Sequence, residues 1–373
     1  MTKEIKSERK SLELVLKGIS KQFGEVIALA PSDLEVKPGV LLSLLGPSGC
    51  GKTTTLRVIA GFEAPDTGSV LIGGRDVTLL PPNKRGLGMV FQNYSLFPHM
   101  TVADNIAFGL RMEKAPEHVI KRRVGEMLDL VQLPGVETRF PNQLSGGQQQ
   151  RIALARSLIT NPSVLLLDEP LGALDKNLRE IMQFELRRIQ NTLGITTILV
   201  THDQEEALTL SDQVVVMDQG RFQQIGTPSE VYESPKTRFV SEFLGTSNLL
   251  IGNISPPTDN DDREVTIQYG EVKTVIESIG SPAVESGTAT VAIRPEKIVI
   301  STTRPEMKNV LRGVVNGHVF RGSYHAYEIC VQGREDPIFV YDQAGDRSTA
   351  AVHRIGADVY LTWKRENSVV LSD

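Results

Sequence analysis

Residues 41–61 read LLSLLGPSGCGKTTTLRVIAG: an apolar run that breaks into a segment with three glycines, Gly46, Gly49 and Gly51, followed by a lysine and three threonines. The run LLSLL predicts a buried strand and TTLRVIAG a helix, so the glycine segment is a strand-to-helix loop. Gly46 to Thr53 satisfy G-x-x-x-x-G-K-[ST], and each part has a physical task. Glycines let the loop turn backbone N–H groups onto phosphate oxygens, and Lys52 brings a mobile point charge to the β and γ phosphates. Thr53 offers its hydroxyl to Mg2+, and the helix starting here adds about half a positive charge at its N-terminus. Gly46, Pro47, Ser48, Gly49, Cys50, Gly51, Lys52, Thr53 and Thr54 are the expected nucleotide cradle. A glycine-rich turn with an incidental lysine is the plain alternative, and the strand and helix flanks weigh against it.

A chain of 373 residues exceeds the ~100–200 residues of one domain, so two are expected. Its 40% hydrophobic and 23% charged content is that of a soluble globular protein, and a net charge of −5 gives no general attraction to nucleic acid or anionic lipid. Cys50 and Cys330 form no metal-ligand spacing, the pattern of reduced thiols in the cytosol, with Cys50 as filler in its loop. The opening MTKEIKSERK lacks the apolar centre of a secretory signal and reads as a solvated tail over residues 1–11. No stretch approaches the ~18 apolar residues of a membrane span, so a membrane role has to come through a partner.

Residues 12–244 alternate short leucine-rich or β-branched runs with longer amphipathic ones, which predicts parallel strands joined by helical crossovers. Within them, a mostly helical insert over about 93–160 opens at a Thr101 cap with Asp104 behind it and breaks near Pro116. The basic run KRR at 121–123 reads as a wet helix face. Past FVSEFLGTSNLL the texture changes to turn chemistry and short alternating runs such as TATVAIR, RGVVNGHVF, AYEICV and DVYLTW. Residues 245–373 are therefore expected to form a β-rich barrel of the oligonucleotide- and oligosaccharide-binding type.

Two further strand ends carry chemistry. SVLLLDEP predicts a buried strand with Asp168 and Glu169 at its carboxyl end, where open α/β sheets bind ligands. Asp168 would complete Mg2+ coordination and Glu169 would orient and deprotonate the attacking water, ordinary turn carboxylates being the bland reading. TTILVTHD places His202 at the same edge, suited to hydrogen-bond the γ phosphate or its water; taken alone, a histidine is usually structural. LSGGQQQRIALARSL at 144–158 then supplies a second anion-binding helix start at Ser145, Gly146, Gly147 and Gln148, in a chain with one phosphate loop. Two copies docked head to tail would each lend that turn to the other's ATP, while a capped amphipathic helix is the structural reading.

GPSGCGKTT, LSGGQQQR, VLLLDEP, LGALD and THD, in this order, resemble the ATPase subunit of the ATP-binding cassette transporter family. The resemblance implies an α/β P-loop NTPase core with a helical insert, using ATP and Mg2+. It further implies a switch role for Gln92, which senses the metal beside a membrane partner, an adenine-stacking role for Phe23, and a dimer contact for Asp175. Gly172 stands where family members often have serine. Read alone, Phe23 would sit in the core and Gln92 in an anonymous loop. VAIRPEKIVI and GVVNGHVFRGSYHAYEI resemble the transport-associated OB-like barrel of bacterial binding-protein-dependent importers.

That resemblance implies a homodimer serving two transmembrane permease subunits and an extracytoplasmic solute-binding protein, at the cytoplasmic face of the bacterial inner membrane. The wording FQNYSLFPHMTVADNIAFGL leans toward importers of polyamines and related organic solutes. Arg294, Glu296, Phe320, Tyr324 and Tyr327 offer either a regulatory site in the barrel or its core and rim. Two other classes use the same cassette: an ATP-driven nucleic-acid or translation factor with bases stacked on the barrel aromatics, and a non-hydrolysing scaffold with idle carboxylates. The acidic balance and single cassette argue against a nucleic-acid partner.

Overall fold

The computed structural model describes residues 11–172, 174–255, 262–269, 272–279, 287–344 and 353–372. Residues 1–10, most of the expected tail, lie outside these. Ser11, counted with the tail from sequence, is anchored: its hydroxyl pairs with the Thr196 hydroxyl at 2.8 Å and accepts from Gly39 N. The chain divides into two compact units, Met1–Pro228 and Ser229–Asp373.

In the first unit, β1 (Leu14–Phe23), β2 (Val26–Val36), β4 (Thr67–Ile72) and β5 (Arg75–Asp76) form an antiparallel sheet in the order β2-β1-β4-β5. A second sheet contains β3 (Leu41–Leu45), β6 (Leu87–Val90), β7 (Val164–Asp168), β8 (Thr196–Thr201), β9 (Gln213–Asp218) and β10 (Arg221–Gly226), ordered β10-β9-β3-β8-β7-β6. All its pairings are parallel except β10 with β9. Every residue of β3 and β8 is buried, as strands covered on both faces require. Register then fixes the working edge. Leu45 lies opposite Thr201, Asp168 opposite Val200 and Val90 opposite Leu167, so the segments following β3, β8, β7 and β6 leave the sheet side by side.

Helix α1 (Lys52–Ala60) follows β3. The insert is helical: α2 (Val102–Met112), α3 (Glu117–Leu130) and α4 (Gly146–Leu158) pack through Ile106, Leu110, Val124, Met127, Ile152 and Ala155. Thr101 caps α2 by accepting from Asp104 N, and Pro116 is the N-cap of α3, where the break was expected. The basic run is not uniformly wet. Lys121 and Arg122 are exposed, but Arg123 is buried and donates to Ile159 O and Asn161 Oδ1, so it closes the insert over the end of α4. Helices α5 (Lys176–Leu193) and α6 (Gln204–Leu210) follow β7 and β8.

In the second unit, α7 (Pro228–Glu233) and α8 (Arg238–Phe243) precede the strands. β11 (Asn248–Ile254), β12 (Asp262–Tyr269), β13 (Val272–Ile279), β14 (Gly287–Ile293) and β20 (Ser368–Val370) close a barrel in the order β11-β12-β13-β20-β14. The last strand completes it, pairing Val370 with Val291 and Val369 with Ile279. A five-stranded sheet accompanies the barrel, ordered β15-β19-β16-β17-β18, from β15 (Val299–Ser301), β16 (Val310–Phe320), β17 (Tyr324–Cys330), β18 (Ile338–Gln343) and β19 (Asp358–Thr362).

The five barrel residues offered as a regulatory site do not converge. Arg294 is buried and donates to Tyr232 O, Ser241 O, Gly245 O and Thr246 O, so residues 229–244, given to the first domain from sequence, are fastened to the second unit. Glu296 accepts from the Tyr232 hydroxyl, Tyr324 packs against Tyr341, Tyr327 is fully buried and Phe320 is exposed. Their roles are core, clip and rim.

Candidate functional site

The site is assembled at the edge where β3, β6, β7 and β8 end. The glycine loop adopts left-handed backbone at Gly49 (φ 80°) and Gly51 (φ 105°), and a Cβ on Gly51 would lie 2.2 Å from Ala28 O, so glycine is required there on both grounds. Ser48 and Gly49 are exposed at the tip; Cys50 and Gly51 are buried beneath it. Cys50 is thus more than filler. Its Sγ fills the space a Gly46 Cβ would need, and burial pushes its thiol pKa up against the pull of Lys52.

Lys52 is buried and curls back to donate to Gly46 O at 2.7 Å and Pro47 O at 2.9 Å. Its ammonium is thereby enclosed by its own loop. Thr53 is exposed and Thr54 half-buried on the first turn of α1, while Thr55 is turned inward, its hydroxyl on Gly51 O.

Three of the expected residues meet directly. Gln92 Nε2 donates to Glu169 Oε2 at 2.9 Å, and His202 Nδ1 lies 3.3 Å from Glu169 Oε1. Glu169 itself has φ 45°, a left-handed conformation rare outside glycine, and its N–H is held by Val200 O at 3.0 Å. Strained backbone of this kind persists where surrounding structure over-determines it. Here the turn after β7 aims the carboxylate at Gln92 and His202.

Asp168 is half-buried. Burial first, and the neighbouring Glu169 second, push its carboxyl above the usual range, against Arg57 and Lys52. This carboxyl needs a cation. The oxygen donors expected to join it are the exposed Thr53 hydroxyl at the start of α1 and the Gln92 carbonyl, which remains available because the amide nitrogen is the atom bonded to Glu169. An all-oxygen set with a carboxylate short of positive charge fits Mg2+.

Phe23 is 47% exposed on the β1–β2 hairpin with Lys21 Nζ 5.3 Å from its ring centroid. The core reading of Phe23 is therefore set aside, since an exposed ring is free to stack. At the start of α4, Ser145 and Gln148 form a reciprocal capping box, Gln148 N donating to Ser145 Oγ and Ser145 N to Gln148 Oε1. Among the described residues, no hydrogen bond or ion pair joins Ser145, Gly146, Gly147 or Gln148 to the glycine loop. Asp175 is exposed and caps α5 through Leu178 N.

Sequence reading missed Arg57, whose charge bears on Asp168, and a cluster formed by Arg179, Thr201, Asp203 and Glu206 behind His202. The available signal was an arginine one helical turn past Asp175, which spacing alone does not link to the strand end at 201.

Residues 29–172 match the family described as ABC transporter, and residues 291–371 match the TOBE domain. A protein named spermidine/putrescine import ATP-binding protein PotA, from Thermobifida fusca, is 48% identical over 97% of this chain and 93% of its own length. One named Fe(3+) ions import ATP-binding protein FbpC 1, from Rhizobium meliloti, is 43% identical over 90% of this chain and 92% of its own. Among solved structures, cbiO1 from Clostridium perfringens, part of the ABC transporter complex cbiONQ, is 30% identical with a TM-score of 0.56, covering 60% of this chain and 91% of that one. The ATP-binding cassette MJ0796, solved as a dimer in a post-hydrolysis state with ADP and Pi, is 31% identical with a TM-score of 0.51, covering 58% of this chain and 98% of that one. These relatives give the nucleic-acid alternative no support. With its glycine loop, carboxylate pair and histidine on one sheet edge, and with a TOBE match later in the sequence, the chain belongs to the ABC transporter family as an import ATPase that uses ATP and Mg2+.

Proposed function

We propose that two copies of this chain close on ATP and drive import of a polyamine or related small organic solute through two partner permease subunits. They would lie at the cytoplasmic face of the bacterial inner membrane and be fed by an extracytoplasmic solute-binding protein. The observation that carries the reading is the Gln92–Glu169–His202 contact at the strand edge holding the phosphate loop.

Lys52 exchanges the Gly46 and Pro47 carbonyls for the β and γ phosphates of ATP, and Phe23 stacks on adenine. Thr53, Asp168 and Gln92 would hold Mg2+, which supplies positive charge against the phosphate oxygens. Glu169 takes a proton from the water whose oxygen bonds to the γ phosphorus as the bond to the β-phosphate oxygen breaks. His202, on the other side of Glu169, keeps that carboxylate oriented and hydrogen-bonds the γ phosphate.

Ser145, Gly146, Gly147 and Gln148 face the nucleotide of the second copy, with Asp175 at the same interface. Ser145 and Gly146 form an exposed helix N-terminus, the kind of turn that binds an anion, which supports this assignment. Charge-assisted hydrogen bonds contribute about 1.5–3 kcal/mol each, so a few at each of two sites shift an open–closed equilibrium by orders of magnitude. ADP has no γ phosphate for the turn to hold, and the copies part.

Glu169→Gln retains the amide-carboxylate shape without the base, and it should accumulate an ATP-bound dimer in light scattering. Persistent monomer at saturating Mg2+ and ATP would overturn the dimer reading. For cargo, the name of the Thermobifida relative points to spermidine or putrescine and that of the Rhizobium relative to ferric iron, so the choice is left to the permeases and binding protein in this proposal. Reconstituted with its permeases and binding protein, the chain should turn over ATP faster with polyamines than with ferric iron; the reverse order would sink the polyamine assignment.

A further inference from the structure

Arg179 lies on the first turn of α5 and has no part in the chemistry above. Its guanidinium joins two segments that do. Nη2 donates to Leu174 O at 3.1 Å, next to Asp175, and Nη1 donates to Asp203 Oδ2 at 2.9 Å, next to His202. Asp203 uses its other oxygen to cap α6, accepting from Glu205 N and Glu206 N at 2.9 and 3.1 Å. The opposite flank is closed by Thr201, whose hydroxyl donates to Glu206 Oε2 at 2.7 Å and accepts from Asp203 N at 3.0 Å. The backbone of His202 is thus gripped from both sides, while its imidazole alone is left exposed toward Glu169.

We infer that Arg179 is a positioning residue for ATP hydrolysis, holding the 201–203 backbone so that His202 stays against Glu169 and coupling that hold to the Leu174–Asp175 segment. Arginine suits the task because one rigid fork reaches a carbonyl and a carboxylate at once, whereas lysine carries a single charge point. The network also has room to tighten. Arg179 Nε is buried with no hydrogen-bond acceptor among the described residues and lies 3.9 Å from Glu206 Oε1, so a small rotation would add a bond. A shift of Asp175 would supply such a rotation. This second half rests on the proposed function, in which Asp175 meets another copy; the hold on His202 needs only the ATPase reaction.

The test is a double-mutant cycle on the full chain with Mg2+ and ATP, combining Arg179→Met and His202→Ala. Arg179→Met should lower kcat about tenfold or more while leaving the KM for ATP within about twofold, and the double variant should fall no further than about twofold below His202→Ala alone. Arg179→Lys should recover part of the loss. Multiplying losses, or a KM rising in step with the fall in kcat, would overturn the assignment. If Arg179→Met does not fold, Asp203→Asn, which keeps a capping oxygen, runs the same cycle under the same criteria. Dimerisation of Glu169→Gln reports on the proposed function separately. It should survive addition of Arg179→Met; its loss only in that background would make Arg179 an interface residue instead, and its absence in both would sink the dimer while leaving the cycle to decide the hold on His202.

Discussion

At the scale of single residues, the site is a set of groups that do not suit one another until nucleotide and metal arrive. Lys52 spends its donors on its own loop, and Asp168 ionises reluctantly beside Glu169 in a half-buried position. The sign of the second effect is testable. A carboxyl whose pKa is raised on folding holds its proton more tightly than in the unfolded chain, so its contribution to stability falls as pH rises through the carboxylate range. Asp168→Asn should therefore raise the nucleotide-free melting temperature at pH 7, by about 2–4 °C for each kcal/mol released, and abolish Mg2+-dependent ATP turnover. A lower melting temperature would show that the carboxylate is stabilising in the folded chain. Lys52, Asp168, Glu169 and His202 were legible because each follows an apolar run that can only be a strand. Arg123 and Arg179 were not, because a burial partner distant in sequence leaves no periodic trace.

At the scale of elements, helix starts carry two kinds of meaning that sequence merges. Thr101 and Ser145 both accept from the N–H three residues on, at 3.2 and 3.4 Å. The Thr101 hydroxyl is also engaged by Asp104, whereas the capping box at Ser145 opens an exposed turn with glycines behind it. Loss of a cap costs about 0.5–2 kcal/mol. Ser145→Ala should stay at the low end of that range in denaturant melts yet lower ATP turnover at least about tenfold, because the hydroxyl is proposed to serve the partner copy's nucleotide. Turnover within about twofold of the parent would leave Ser145 as a cap alone. Gly147 is constrained separately: a Cβ there would come within 3.0 Å of Leu178, so the helix start is packed against α5.

At the scale of the whole molecule, each unit has its own apolar core, and the second holds its entry segment through polar ties. Arg294 supplies one and Tyr232 another. Burial first, then the hydrogen bond to Glu296, push the Tyr232 phenol up to about 12. Between the ordinary value of 10.0 and that figure, the unfolded chain releases a proton that the folded one keeps, so stability should fall as pH rises through this window. A spectrophotometric titration should show Tyr94, Tyr232 and Tyr327 all ionising above the ordinary phenol range, with burial as the leading cause in each, and Tyr232→Phe should remove the component near pH 12. A Tyr232→Phe titration curve identical to the parent's would contradict the tie between Tyr232 and Glu296.

The sequence alone determined the parallel core, the helical insert, the β-rich second half and the identity of the groups at three strand ends. It could do so because hydrophobic period and glycine placement are local, and because strands buried on both faces leave unbroken apolar runs. Only the tertiary structure decided that Gln92 and His202 close on Glu169 from two sides, that Arg294 draws residues 229–244 to the second unit, and that the last strand closes the barrel. Those are pairings between residues far apart in the chain, set by register and by the need to satisfy buried polar groups, and neither leaves a mark within any short window of sequence.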